Sequence, residues 1–404
     1  MNDRLHMPSL AAIEIARTLI GFDTISRKSN LGLIEWVRDE LRRIGVTSRF
    51  TYDPSGTKAN LFATLGDDER SGGIVLSGHT DVVPVDGQDW VTDPFTAEIS
   101  NDRLFGRGSC DMKGFIACAL AAAPQIVQRK LARPLHLALS YDEEVGCIGV
   151  RGLLADLAER EIHPAACVVG EPTMMQLVIA HKGYRSMRCC LTGKESHSSL
   201  TPNGLNAIEY GARIVAQLQA MADREAKYGH RDGNFDVPFT TLNCGTIQGG
   251  IAPNVVAKDC EFSVELRYLP DGSGENLLDD LQTFASTEVL PQMRSRYPLA
   301  TLRWTLMSDT PGLSMPPSSP FVQWLREIAG SRSALGRVAY STEAGLFQRA
   351  GIPTVICGPG SIAQAHRPNE YVELSQLAAC EDFLGTLSMH ADHCPSDTLV
   401  MQPR

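Results

Sequence analysis

No stretch of this 404-residue chain approaches the ~20 consecutive apolar residues that a membrane-spanning helix needs, so no such span is expected. The N-terminus lacks a basic region followed by an apolar core, and no secretory signal is expected either. Positive charge is not in excess. Lys and Arg number 37 against 47 Asp and Glu, giving a formal net charge of −10, which argues against a nucleic-acid partner. The 11 cysteines are odd in number, and none are in C-x-x-C spacing. Most lie in apolar segments (Cys167, Cys189, Cys190, Cys260, Cys357), which reads as buried free thiols in a reducing compartment, and the cytoplasm is the expected location. Gly106 and Gly108 are not completed to a G-x-G-x-x-G that opens a helix, so a nucleotide-binding reading is weak. There is no internal repeat and no low-complexity tract.

What is present is a long alternation of strand and helix patterns. Residues 9–20 and 31–44 carry apolar residues at helical spacing, and Gly45 is placed as a stop. Strands are predicted over 60–65, 74–78, 135–141 and 165–170, with helices over 114–129 and 150–159 between them. Apolar strands alternating with helices predict an α/β fold with a mainly parallel sheet covered by helices. From residue 181 the pattern changes: strands over 184–192 and 255–268 enclose a long helix over 206–228, and another helix covers 277–288. After Pro291 the first pattern returns, with a strand over 300–307, helices over 321–329 and 344–350, a strand over 354–357 and a helix over 374–388. The length favours two domains. The order predicts a discontinuous main domain, 1–180 and 293–404, with a smaller α+β domain inserted at 181–292. The tail from 391 onward has no period and is expected to be loosely ordered.

Chemistry-bearing residues fall at the ends of the predicted strands. His79-Thr80-Asp81 closes the run 74–78. A metal-bound imidazole usually gives its other N–H to a carboxylate, and an aspartate two residues on, on the same side of an extended chain, can accept it. Asp111 lies in the glycine-rich turn 106–114, where the backbone can approach an ion closely. Asp142, Glu143 and Glu144 follow the strand 135–141; adjacent acids are costly unless a cation or water relieves them. One can bind metal while the other holds a proton-shuttling water. Glu171 follows Gly170 and precedes Pro172. His366 lies in the tight loop that starts at Gly358. Each alone has a plainer reading: a strand-end histidine, a helix N-cap, an acidic turn, a loop residue. Together they have the ligand types of a dinuclear zinc centre, which needs a bridging carboxylate and terminal His and carboxylate ligands. His6, His136, His163, His181 and His230 have no comparable setting and read as structural or surface residues. His390, His393 and Cys394 form a weak metal-like cluster in the tail.

With these motifs, the chain resembles the zinc-dependent acetylornithine deacetylase / succinyl-diaminopimelate desuccinylase family of metallopeptidases over nearly its whole length. The resemblance rests on Gly78 to Pro84, Gly106 to Gly114, Asp142 to Gly146, Gly170 to Thr173, Ser196-His197-Ser198 and the loop from Gly358 to His366. It implies two Zn2+ per subunit, with Co2+ able to substitute. Asp111 would bridge, His79 and Glu171 would complete one site, and Glu144 and His366 the other. Asp81 would orient His79, and Glu143 would be the general base and then the acid. His197 would stabilise the oxyanion from the partner subunit, which implies a homodimer through the inserted domain. Arg267, Asn254 and Gly360 would lie on the substrate side. Ser341 to Gly345 is similar to the deacetylase subgroup, and Glu343 is expected to meet the ammonium of a diamine substrate. The implied activity is hydrolysis of N2-acetyl-L-ornithine to ornithine and acetate, a step of arginine biosynthesis. Alternatives are another small N-acyl amino acid (acetylcitrulline, acetyl-diaminobutyrate, succinyl-diaminopimelate), a dipeptidase or carboxypeptidase on the same scaffold, or a metal-free binding protein.

Overall fold

The runs predicted as buried strands lie side by side in the computed structural model, which describes residues 7–70, 72–330 and 334–395. Ile74–His79 pairs in parallel with Leu135–Ser140 on one side and Ala166–Val169 on the other, and Thr354–Ile356 continues the parallel set. All four strands are buried along their whole length, which explains why they read as continuous apolar runs rather than alternating ones. Further strands extend both edges to give a nine-stranded sheet: Ala59–Leu65 and Ser48–Tyr52, each antiparallel to its neighbour, on one, and Val178–His181, antiparallel to Thr354–Ile356, with Leu313–Ser314 and Gly336–Val338 on the other. The Ala-rich helix Lys113–Gln128 is buried on nearly every side, and Leu10–Ile20 and Leu374–His390 pack against it.

Apart from His181 and Val338, this sheet belongs to one of two compact units, formed by Met1–Ala180, Leu313–Arg337 and Thr342–Arg404; the other comprises His181–Gly312 and Val338–Ser341. The second unit is a four-stranded antiparallel sheet in the order Thr241–Gly249, Asp259–Tyr268, Gly183–Thr192, Thr301–Thr310. Strict alternation along Asp259–Tyr268 turns Cys260, Phe262, Val264, Leu266 and Tyr268 to one face. The helix Ala207–Tyr228 covers that face with Tyr210, Ile214, Leu218 and Met221, spaced as one helical stripe. Leu277–Phe284 runs through a π-helical turn into Leu290–Arg296 and adds Leu278, Leu281, Val289 and Met293 to the same core.

Three expectations are corrected here. The second unit runs on past 292 to Gly312, with Val338–Ser341 added to it, because Thr301–Thr310 pairs along its length with Gly183–Thr192. It is an edge strand that leaves Leu306 and Met307 exposed, and that apolar content imitates a strand of the buried sheet. The strand Thr241–Gly249 was not predicted; it is mostly exposed, and a bulge between Cys244 and Thr246 breaks its period. The tail is ordered through 395: Ala391–His393 forms a 3-10 turn, Cys394 is buried, and Asp392 accepts the Arg133 N–H at 2.9 Å. Residues 396–404 lie outside the described residues, and His390, His393 and Cys394 are not among the groups that could hold a metal among the described residues. Also among the described residues, no helix is long and apolar enough to cross a membrane.

Two histidines are buried in these cores. The Nε2–H of His136 donates to the Gly72 carbonyl at 2.7 Å, and its Nδ1 lies 3.1 Å from the Thr64 hydroxyl. Burial pushes the pKa of His136 from 6.5 down to about 4, and that of His181 likewise to about 4. An unfolded imidazole takes its proton below about 6.5 and a folded one only near 4, so the unfolded chain binds more protons in this window. Stability is therefore lost as pH falls through it, by up to about 1.4 kcal/mol per pH unit for each ring. Raised carboxylates elsewhere in the chain act in the opposite direction, so the histidine contribution is read from a comparison. His136→Gln is expected to be less stable than the parent at pH 7, with the gap in unfolding free energy narrowing from pH 6.5 toward 4. A gap that stays constant across denaturant titrations in that range would contradict the assignment.

Candidate functional site

The carboxyl ends of the four parallel strands deliver the chemistry. His79 is the last residue of Ile74–His79; Asp142, Glu143 and Glu144 follow Leu135–Ser140; Glu171 follows Ala166–Val169; and the loop after Thr354–Ile356 leads to His366. Ligand positions beyond the carboxyl ends of strands are the general rule for open α/β sheets. Asp111 arrives from a different direction, through the turn before the helix Lys113–Gln128. It is not used as a cap: the N-cap is Met112, and the Asp111–Met112 peptide is cis. Gly170 lets the end of its strand lie on that helix, since a Cβ there would stand 2.0 Å from the Phe115 ring.

The Nδ1–H of His79 donates to the backbone carbonyl of Asp81 at 2.9 Å, which turns Nε2 toward Asp111 Oδ1 at 3.0 Å and Glu171 Oε1 at 3.7 Å. Asp111 presents its other oxygen to His366, with Oδ2 3.3 Å from Nε2, and the same Nε2 is 3.0 Å from Glu144 Oε2. One carboxylate thus faces an imidazole on each side. Ligand atoms of His79, Glu143 and Glu171 lie within 4.8 Å of one another, as do those of His79, Asp111 and Glu144.

The electrostatics follow from this crowding. Burial raises Glu171 well above the usual carboxylate range, with the Asp111 charge adding to it. Burial pushes Glu143 up to about 8, with His79 pulling it down and Glu144 pushing it up. Glu144 is raised by burial and by Asp111. Burial alone would lower His79, yet the hydrogen bond to Asp111 and the charges of Glu171, Asp111 and Glu143 carry it well above its ordinary value. Hydrogen bonds to Asp111 and Glu144 lift His366 to about 10. Burial would raise Asp111, but the two imidazoles hold it low. Four carboxylates and two imidazoles need positive charge among them, which protons supply in this pattern and divalent cations can supply in their place. The donors are all nitrogen and oxygen, and the neighbouring Cys110 thiol is turned to the Ser361 carbonyl at 3.3 Å. The set suits a divalent transition-metal ion of borderline softness.

Three site expectations are corrected. The Asp81 carboxylate does not bond His79; its Oδ1 is 3.7 Å from Nδ1 and instead accepts the Glu143 N–H at 3.1 Å, while Oδ2 accepts the Ser26 hydroxyl at 2.7 Å. The main chain of Asp81 aims the ring, and its side chain anchors the Glu143-Glu144 turn. Glu343, expected to meet a substrate ammonium, is instead turned into the core. It is 1% exposed, with Oε1 accepting the Ser77 hydroxyl at 2.5 Å and Oε2 that of Ser140 at 2.8 Å. Gly360 is buried, and its N–H and carbonyl are taken by Gln376 and by the Met174 N–H. It serves the left-handed turn over Cys110, whose sulfur would stand 2.6 Å from an added Cβ.

The second unit holds His197, Asn254 and Arg267. His197 caps the 3-10 helix Ser198–Asn203 and is exposed; its neighbour Ser198 donates its N–H to the Asn254 carbonyl at 3.0 Å. The Ser199 N–H donates to His197 Nδ1 at 3.2 Å, so the neutral ring carries its proton on Nε2. The Arg267 guanidinium lies over the Tyr184 ring at 4.8 Å. A residue that no motif flagged is Glu370, whose buried carboxylate accepts the N–H of Asp111 at 3.0 Å. Its one local signal is its place just after His366, beyond Pro368.

The model of peptidase family M20/M25/M40 matches residues 75–390. An acetylornithine deacetylase of Proteus mirabilis (strain HI4320) is 35% identical over 382 residues, 93% of this chain and 95% of that protein. One of Edwardsiella ictaluri (strain 93-146) is 35% identical over 397 residues, 96% and 99% of the two chains. Among solved structures, an M20 family metallo-carboxypeptidase from Sulfolobus solfataricus aligns with a TM-score of 0.75 at 16% identity, covering 96% of this chain and 100% of that one. A dinuclear metal binding peptidase of the M20 family from Bacillus subtilis aligns with a TM-score of 0.67 at 14% identity, covering 98% and 100%. The chain belongs to peptidase family M20/M25/M40 and is a hydrolase.

Proposed function

We propose that the chain hydrolyses the acetyl amide of N2-acetyl-L-ornithine, giving L-ornithine and acetate, in the supply of arginine. The observation that carries this is the 35% identity to acetylornithine deacetylases over 93% of the chain. The convergence of His79, Asp111, Glu144, Glu171 and His366 supports the metal-dependent route. In this reading the cofactor is two Zn2+. His79, Glu171 and Asp111 would hold one, and Asp111, Glu144 and His366 would hold the other. Bound there, such ions would supply Lewis-acid chemistry, polarising the scissile carbonyl and lowering the pKa of water toward ~7.

The chain's own groups move the protons and hold the substrate. Glu143 takes a proton from the attacking water as the carbon–oxygen bond forms, and returns it to the amide nitrogen as the carbon–nitrogen bond breaks. Asp81 holds the Glu143 backbone in place for both transfers. The Nε2–H of His197 donates to the oxygen on which negative charge develops. Arg267 receives the substrate carboxylate with its planar fork, and Asn254 adds a polar contact. The acting form is a homodimer through the second unit. The 11 free cysteines support the reading of a reducing compartment, the cytoplasm.

A panel assay tests the substrate and the metal together. Metal-depleted protein is offered acetylornithine, acetylcitrulline, acetylmethionine, succinyl-diaminopimelate and a dipeptide, with and without Zn2+ or Co2+. Activity is expected only with metal, and highest on acetylornithine. Metal-dependent preference for another member would discard the substrate and keep the mechanism.

A further inference from the structure

The turn that carries Asp111 is folded around one buried carboxylate. Oε1 of Glu370 accepts the backbone N–H of Cys110 at 2.9 Å and of Asp111 at 3.0 Å. Oε2 accepts the N–H of Gly108 at 3.0 Å and Arg107 Nη1 at 2.8 Å. Four donors fill the acceptor sites of a carboxylate. Its partner Arg107 is also 1% exposed and stacks on Trp90, with its carbon 5.0 Å from the ring centre. A buried ion pair of this kind gives little net stability; what it gives is a fixed geometry.

The contacts continue beyond the pair. Arg107 Nη1 also reaches the Arg367 carbonyl at 3.3 Å, and Nη2 donates to Gln88 Oε1 at 2.6 Å, where the Trp90 N–H also donates at 3.1 Å. The amide nitrogen of Gln88 donates to the backbone carbonyl of His366 at 2.9 Å. A continuous chain of hydrogen bonds therefore joins the backbone of Asp111 to the backbone of His366, through Glu370, Arg107 and Gln88. His366 needs such an anchor. Its side chain is 55% exposed and its φ is +63°, so neither packing nor backbone preference holds it.

We infer that Gln88, Arg107 and Glu370 are positioning residues that set the spacing between Asp111 and His366, and that Gln88 is the link on which the His366 side depends. The inference rests on the metal-hydrolase reading above. Its consequence is unequal. Losing the Gln88 link should weaken the ion between Asp111, Glu144 and His366 and spare the one at His79.

The test is titration calorimetry of Zn2+ and Co2+ into metal-depleted protein, for the parent, Gln88→Ala and Gln88→Glu. Gln88 sits half-exposed in a loop, so both variants should keep the melting temperature of the metal-free protein. Glutamate still accepts from Arg107 but has no donor for the His366 carbonyl, so it isolates the last bond. In both variants one of the two dissociation constants is expected to rise about 10-fold or more while the other stays unchanged. Two unchanged constants would overturn the inference, as would equal weakening of both with a lowered melting temperature, which is a general structural effect. A parent protein that takes up no metal would instead overturn the reading of the centre itself.

Discussion

Replacing Glu143 with glutamine is expected to lower kcat by about 10²–10⁴-fold, the usual worth of a general acid–base, with the metal content unchanged. Glutamine keeps the shape of the side chain and loses the ability to take a proton from water and return it to the leaving nitrogen. The backbone N–H of Glu143 stays on Asp81 at 3.1 Å, so the turn should not move. The competing role is visible in the geometry. An oxygen of Glu143 lies within 4.8 Å of ligand atoms of His79 and Glu171, close enough to bind the ion itself. Metal analysis beside the kinetics separates the two. If the variant loses one equivalent of metal together with its activity, Glu143 is a ligand and the base must be sought elsewhere. If it keeps both ions and KM while kcat collapses, the interaction lost is one made only in the transition state.

The parallel strands were legible because burial on both faces writes them as uninterrupted apolar runs, and the residues just past their ends were legible as candidate ligands because open α/β sheets gather such groups at the carboxyl ends of their strands. On that pattern His79, Glu144, Glu171 and His366 read as candidates for one site, and their side chains lie around Asp111 in the fold. Asp81 shows the limit of such reading: H-x-D spacing points to a carboxylate–imidazole bond, yet the backbone carbonyl reaches the ring first, at 2.9 Å against 3.7 Å. Glu343 shows another. At the start of the short helix Ala344–Arg349 it reads as an acid for a substrate ammonium, but hydroxyls from Ser77 and Ser140, 266 and 203 residues away, take both its oxygens and make its burial tolerable. Glu370 escaped for the same reason, since four donors gathered from the Arg107 to Asp111 turn have no local signature in the loop that carries it. Edge strands were the remaining loss: Thr241–Gly249 has one buried residue, so it leaves no apolar period to find.

In the proposed role of oxyanion donor, His197→Ala is expected to lower kcat by about 10²–10³-fold, with a much smaller change in KM, because a bond of that kind would strengthen as charge develops on the substrate oxygen. The local structure already selects the donor. With Nδ1 accepting the Ser199 N–H, the only ring proton of the neutral form is on Nε2, and the side chain is free to present it. If this histidine serves the site of its partner subunit, two dead proteins can make a living one. In a mixed dimer of Glu143→Gln and His197→Ala, the protomer with intact Glu143 would receive its histidine from the other chain. Random pairing of equal amounts makes half of the dimers mixed, each with one complete site, so about a quarter of parental turnover should return. A histidine acting within its own chain gives no recovery, because every site in the mixture then lacks one of the two groups. Recovery that appears only after the two proteins are allowed to exchange subunits would tie the oxyanion donor and the dimer to a single cause. Full activity of His197→Ala on its own would remove the residue from the mechanism.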